Sequence, residues 1–285
     1  MIDSFPRRII CLTEETTETL YVLGQQDRIV GISGYTVRPP EARKKPKVSA
    51  YIHAKFDKIL ALKPDLVFAF SDLQADIVRE LIQRGVTVFT FNQRSVPEIL
   101  EMILTVGRIV GCAEKSLGLV QSYQAELEAI RQSASRFPYR PRVLFEEWYE
   151  PLISGIRWVE ELIEIAGGDP IFPHLRECKA GKDRILAPET VIPLDPQVII
   201  GSWCGRSLKK NWIRNRTGWE SISAVREKHI YEVKSAYILQ PGPAALTEGL
   251  RQLHLILAHS VGINVPSELL PQESVDKDLI PVCSQ

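Results

Sequence analysis

The residue types that most often do chemistry are thinly spread along this chain, and their spacing argues against a catalytic centre. His53 could offer its imidazole as an axial ligand to a bound metal; a solvated loop histidine would have the same neighbours in sequence. His174 and Cys178 stand four apart, but no third ligand accompanies them, and His254 and His259 are five apart, a poor spacing for sharing a metal. The five cysteines, Cys11, Cys112, Cys178, Cys204 and Cys283, are odd in number, widely spaced and never C-x-x-C. They are expected to be reduced thiols, with Cys11 and Cys112 as small core residues. No G-x-G-x-x-G, no Walker lysine loop and no G-x-S-x-G elbow is present, so the chain reads as a non-enzyme. Trp203, just beyond the apolar run Val198-Ile199-Ile200, is a candidate ligand contact. The basic stretch from Arg206 to Arg216, which includes Trp212, reads as a solvated helix.

The elements that would position such residues alternate in type. Ile9 to Leu12 reads as a strand, and Thr13 precedes a helix whose first turn carries Glu14 and Glu15, the charge that the helix dipole favours there. Ile29–Ile32, Leu66–Phe70 and Val86–Phe89 follow as strands. Leu66–Phe70 is apolar throughout, as in a strand covered on both faces. Ser95-Val96-Pro97-Glu98 is a capping box that opens a helix. The same grammar returns with strands at Arg142–Phe145, Val198–Gly201 and His229–Val233, a helix at Arg157–Ala166 stopped by Gly167-Gly168, and a last helix carrying Leu246, Leu250, Leu253 and Leu257. Between the two sets, Leu119, Tyr123, Leu127 and Ile130 share one face of an uninterrupted helix. A helix of about 24 residues would span roughly 36 Å. The fold class is therefore α/β, with a first lobe at 1–111, a connecting helix at 112–136, a second lobe at 137–262 and a peripheral extension at 263–285.

A short internal repeat supports two related lobes. Asp57-Lys58-Ile59-Leu60-Ala61-Leu62-Lys63-Pro64-Asp65-Leu66-Val67 aligns with Glu189-Thr190-Val191-Ile192-Pro193-Leu194-Asp195-Pro196-Gln197-Val198-Ile199. Each copy reads as a helix, a proline turn and a buried strand. Duplicated α/β lobes are expected to form a cleft where strand carboxyl ends meet.

At this point the chain resembles the substrate-binding proteins of cobalamin and iron–siderophore ABC importers. The residues that carry the likeness are Arg8-Ile9-Ile10-Cys11-Leu12, Glu18-Thr19-Leu20-Tyr21-Val22-Leu23-Gly24, Ile29-Val30-Gly31-Ile32, Tyr35 with Pro39-Pro40, Leu62-Lys63-Pro64-Asp65-Leu66-Val67, Ser154-Gly155 and Ala166-Gly167-Gly168-Asp169. The resemblance implies two Rossmann-like lobes joined by one long rigid helix, with the ligand in the cleft between them. Its cobalamin branch implies ligand contacts at Tyr35, Tyr51, Phe70, Leu152 and Tyr237, which join Trp203; two of the family's tryptophan positions are Tyr51 and Phe70 here. It also implies that Asp57 and Glu189 dock the transporter's membrane subunits. A corrin is broad, flat and largely apolar with an amide rim, so aromatic faces and tyrosine hydroxyls suit it. Here His53 would be an axial ligand to cobalt or haem iron. A ferric siderophore would favour arginines, and Arg38, Arg157 and Arg206 lie near the expected cleft loops. A haem binder, or a cytosolic tetrapyrrole- or metal-handling enzyme of chelatase-like fold, is the alternative; the enzyme would need clustered ligands.

Composition bounds the partners. Lys plus Arg and Asp plus Glu are each 35, for zero formal net charge, which leaves no basic footprint for nucleic acid. No apolar run approaches the length of a membrane span. The cargo is expected to be a small molecule, with no built-in cofactor, and the chain a monomer. The opening Met1-Ile2-Asp3-Ser4-Phe5-Pro6 runs directly into the first strand without a signal-peptide pattern. This implies a cytoplasmic protein if Met1 is the native start, and a periplasmic or extracellular one if a leader was removed.

Overall fold

A computed structural model describes residues 5–279, which fall into two compact units. The first comprises mainly residues up to Gln93, Pro97–Ser122 and Gln240–Pro243; the second comprises mainly Tyr123–Leu239 and the residues from Ala244 onward. Cys283 lies outside the described residues.

The first unit contains β1 (Ile9–Cys11), α1 (Glu14–Val22), β2 (Ile29–Ser33), β3 (Lys47–Ala50), β4 (His53–Ala54), α2 (Phe56–Ala61), β5 (Leu66–Phe70), α3 (Ala75–Gln83), β6 (Val88–Phe91) and most of α4 (Val96–Ile109). Its sheet runs β4-β3-β2-β1-β5-β6, parallel except for the β3–β4 hairpin. The strand order reverses at β1, so chain growth passes to the other side of the sheet between β1 and β5, where such folds place their sites. Strand alternation sends Ile10, Leu12, Val67 and Ala69 into a core with Val48, Ile59 and Leu81. Ile9, Cys11 and Phe68 are buried on the opposite face.

Helix α5 (Ala113–Ala134) is continuous over 22 residues. In the second unit follow β7 (Arg142–Trp148), β8 (Ile153–Ser154), α6 (Arg157–Ala166), β9 (Asp169–Pro170), β10 (Val198–Gly201), α7 (Lys210–Arg214), α8 (Ser223–Arg226), β11 (Ile230–Glu232), α9 (Ser235–Ile238) and α10 (Leu250–Ser260), which is entered through a π-helical turn at Ala245–Gly249. Its sheet runs β11-β10-β7-β8, with β9 also on β7; β7, β10 and β11 are mutually parallel. Among the described residues no helix is long and apolar enough to cross a membrane.

The internal repeat is realised in backbone geometry. The residue before each proline is left-handed, Lys63 at φ 46° and Asp195 at φ 40°. An L-residue there is strained by roughly 1 kcal/mol. In each unit an arginine at the start of the first strand holds the turn. Arg8 Nε donates to the carbonyls of Leu62 and Lys63 at 3.0 and 3.1 Å, and Arg142 Nε donates to those of Leu194 and Asp195 at 3.0 Å each. The backbone bonds match too: Asp65 N donates to Arg8 O, and Gln197 N to Arg142 O. One difference corrects the sequence reading. The second copy is a 3-10 segment, Pro188–Leu194, rather than a helix like α2, because Pro193 inside it has no N–H to donate.

The turns separate the strain from the contacts that offset it. Lys63→Gly removes the strain while adding backbone entropy to the unfolded chain, and is expected to leave stability unchanged or raise it by less than about 1 kcal/mol. Asp195→Gly also loses the carboxylate that accepts from Ser223 N at 2.7 Å and Ser223 Oγ at 2.9 Å, and is expected to destabilise by about 1–3 kcal/mol. Urea unfolding of both variants checks this; equal losses would contradict it.

Candidate ligand-binding site

In the first unit, three expected contacts sit at or just past the carboxyl ends of parallel strands. Tyr35 follows β2 and is 60% exposed; Tyr51 occupies the turn after β3 at φ 53° and is 36% exposed; Phe70 ends β5 and is 4% exposed. Gln74, fully buried, ties two of them together. Phe70 N donates to its Oε1 at 2.9 Å, and its Nε2 donates to Tyr51 O at 2.7 Å. Tyr51's left-handed turn is thus held to the end of β5 by a single amide. His53 is exposed on β4, paired with Ala50.

Beyond β1 lies a buried acidic stretch. Glu14 and Glu15 open α1 with exposures of 8% and 1%. Glu14 Oε1 accepts from Ser33 Oγ at 3.0 Å, and Glu15 Oε1 from Thr13 Oγ1 at 2.5 Å. Burial, reinforced by the neighbouring Glu14, pushes the Glu15 carboxyl up to about 8. Cys11 is a core residue whose thiol burial pushes up to about 12, while Cys112 is only half-buried.

The second unit builds a concave surface. Trp148, Tyr149 and Glu150 leave the carboxyl end of β7, Trp203 and Arg206 leave that of β10, and Trp212 rides on α7; together they line a pocket of about 420 Å³. The rings of Tyr149, Trp203 and Trp212 form a triangle, with centroids 5.4, 5.0 and 5.9 Å apart. Arg206 lies 5.7 Å over the Trp148 ring. Beneath them, Glu146 is fully buried. It accepts from Trp203 Nε1 at 3.0 Å and from both terminal nitrogens of Arg216 at 2.6 and 2.9 Å. Burial pushes the Glu146 carboxyl up, while the bidentate guanidinium pulls it down. Arg216 in turn lies 4.6 Å from the centres of the Tyr149 and Trp219 rings. A Cβ on Gly201, the last residue of β10, would meet Leu208 Cδ1 at 2.2 Å, so the glycine lets the buried Leu208 side chain pack directly on the strand end.

The periplasmic binding protein family matches this chain over residues 9–237. The chain belongs to that family. An uncharacterized ABC transporter substrate-binding lipoprotein of Bacillus subtilis, YvrC, is 27% identical over 87% of this chain and 79% of its own. A vitamin B12-binding protein of Vibrio vulnificus is 26% identical over 84% of this chain and 86% of its own. Among solved structures, the apo periplasmic heme-binding protein RhuT from Roseiflexus sp. RS-1 has a TM-score of 0.79 at 22% identity, covering 90% of this chain and 99% of that one. The periplasmic vitamin B12 binding protein BtuF of Vibrio cholerae has a TM-score of 0.72 at 23% identity, covering 90% and 98%. These two likenesses show the α/β fold with two lobes.

As a periplasmic binding protein, the chain keeps some of the expected residues at its surface and buries others. Of the expected second-unit residues, Trp203 lines the pocket with only 3% of its surface exposed. Leu152 packs in the core beside Trp203, at 2% exposure. Tyr237, at 7%, lies on α9, against which Gly249 packs so closely that a Cβ would meet Tyr237 O at 2.3 Å. The sequence reading missed Trp148, Tyr149 and Trp212. Ending the first strand at Phe145 left Trp148 and Tyr149 as loop, whereas β7 continues to Trp148. The solvated helix expected over Arg206–Arg216 is a helix only at Lys210–Arg214, and it is corrected at Arg216, which is nearly buried on Glu146; Trp212 stays 47% exposed, with its ring against Tyr149 and Trp203. Among the described residues no three His, Cys, Asp or Glu side chains cluster to hold a metal ion.

Arg216→Met leaves Glu146 buried without its partner and is expected to cost about 3–5 kcal/mol, with a red shift of tryptophan emission as Trp203 is released. Unchanged urea unfolding and emission would refute the buried pair's role. The raised carboxyls set a pH trend. Glu160, 3% exposed, is also pushed up to about 8 by burial. Folded Glu15 and Glu160 hold protons more tightly than the unfolded chain, so their contribution is full below about pH 4.5 and falls as pH rises toward about 8. Calorimetry is expected to record a melting temperature that declines over this window. The double variant Glu15→Gln with Glu160→Gln is expected to flatten the decline.

Proposed function

We propose that this chain captures a corrinoid, a cobalamin-like ligand, as the substrate-binding component of an ABC importer. The observation that carries this reading is the aromatic pocket at the carboxyl ends of β7 and β10, with Trp148, Tyr149, Trp203 and Trp212 around about 420 Å³. Ring faces of this kind suit one region of a broad, largely apolar macrocycle, and tyrosine and backbone groups suit its amide rim. The relative from Vibrio vulnificus named for vitamin B12 binding supports the same ligand class. The proposed contacts are Trp203 with the expected Tyr35, Tyr51, Phe70, Leu152 and Tyr237. The reading is of a protein that binds and releases rather than transforms. Asp57 and Glu189, both exposed, are the proposed docking acids for the membrane subunits.

A second reading, an anionic tetrapyrrole or ferric siderophore, is favoured by one feature. Arg206 lines the pocket and could meet a carboxylate or hydroxamate. Heme-binding proteins among the structural neighbours are consistent with it.

Isothermal titration of the full chain with cyanocobalamin, haemin and a ferric hydroxamate separates these readings. Cyanocobalamin is expected to bind most tightly and to quench tryptophan emission. Trp203→Ala is expected to weaken it by about 2 kcal/mol, roughly thirtyfold. Tighter haemin binding that depends on Arg206 would move the assignment to the second reading. No heat with any of the three would overturn both.

A further inference from the structure

The chain beyond α10 is anchored to the second unit, and its anchor reaches the helix that carries Trp212. Leu269 and Leu279 are buried, Gln272 N donates to Glu248 Oε2 at 2.9 Å, and Arg251 Nη1 donates to Leu270 O at 3.2 Å. The extension then crosses the end of β11, an edge strand, where Asp276 Oδ2 accepts from Glu232 N at 2.7 Å. The same carboxylate receives Lys210 Nζ at 2.7 Å, and Asp278 Oδ2 receives it at 2.6 Å. Asp276 is 3% exposed at its side chain and Lys210 17%, so the pair is shielded from water, unlike an ordinary surface ion pair.

Lys210 is the first residue of α7. A helix of five residues is far too short to hold itself together, so its contacts must fix it. Ile213 provides one, in the core. On the side of the extension, an open space of about 620 Å³ lies among Lys209, Lys210, Asn211, Trp212, Arg214 and the Val275–Asp278 segment. There Lys210 joins the two segments through Asp276 and Asp278. Trp212 lines both this space and the aromatic pocket.

We propose that the C-terminal extension positions the pocket wall, with Asp276 as a positioning residue that acts through Lys210 on Trp212 and so sets ligand affinity. This rests on the proposed function for its ligand, but not for its geometry. The extension is therefore a working part of the site, and loss of the Asp276 carboxylate lets α7 swing toward the open space.

The test uses the full chain with Asp276→Ala and, as a milder second variant, Lys210→Gln, both checked for a native thermal transition. Acrylamide quenching is read as the difference between each protein and its Trp212→Phe counterpart, which isolates Trp212. Both variants are expected to quench Trp212 at least twofold faster than the parent and to bind cyanocobalamin about tenfold more weakly. Added to Trp212→Ala, Asp276→Ala is expected to lower affinity no further, a non-additivity that general destabilisation would not produce. Unchanged Trp212 quenching in both variants overturns the proposal, as does full additivity. If the parent does not bind cyanocobalamin, the functional reading fails, while the quenching comparison still decides whether Asp276 positions Trp212.

Discussion

An L-residue held left-handed before a proline is strained by roughly 1 kcal/mol, and in each of the two sheets that strain sits just before an inner strand, β5 or β10. What makes it tolerable is a guanidinium laid across the turn. Arg8 gathers the carbonyls of Leu62 and Lys63, and Arg142 gathers those of Leu194 and Asp195. Arg8 directly precedes β1 and Arg142 opens β7, so the turn is locked to the sheet's centre rather than to its edge. The strand after each proline then enters beside β1 or β7 in fixed register, Ile9 opposite Leu66 and Val143 opposite Val198. Everything at the carboxyl ends, including Phe70 and Trp203, inherits its position from that register.

The aromatic pocket of the second lobe rests on a different principle. Tryptophan rings supply large flat surfaces but few ways to fix their angle. Here the angle is fixed from below, where Glu146 takes the Trp203 indole N–H and Arg216 donates to both carboxylate oxygens. The guanidinium is itself held between Tyr149 and Trp219. Desolvation of such a pair is expensive, and its use here is to hold ring geometry rather than to maximise stability.

Much of the architecture could be read from residue order. The apolar run Leu66–Phe70 and the duplicated proline turns follow from burial and from the restricted backbone of proline. The arginine clamp had a visible trace, Arg8-Ile9-Ile10 beside Arg142-Val143-Leu144, yet nothing local says that a strand's first side chain will reach a turn more than fifty residues away. The 3-10 character of Pro188–Leu194 was hidden by the similarity of its apolar pattern to that of α2. Trp212 was masked by its basic neighbours, because charge patterning reports an average face and Arg216 is sequestered by a carboxylate seventy residues earlier. The extension's anchoring was invisible for the same reason: Asp276 and Asp278 look like solvated acids until Lys210 is set between them.

Gln74 carries a consequence for how the first lobe can diversify. Because one primary amide bonds both the Tyr51 carbonyl and the Phe70 amide, the hairpin tip and the neighbouring strand behave as a single jaw. A change that tilts one ring's backbone must drag the other along. Under the proposed ligand role of Tyr51 and Phe70, exchanging the rings at constant backbone is then a less disruptive route to a new preference in this lobe than moving either backbone by itself.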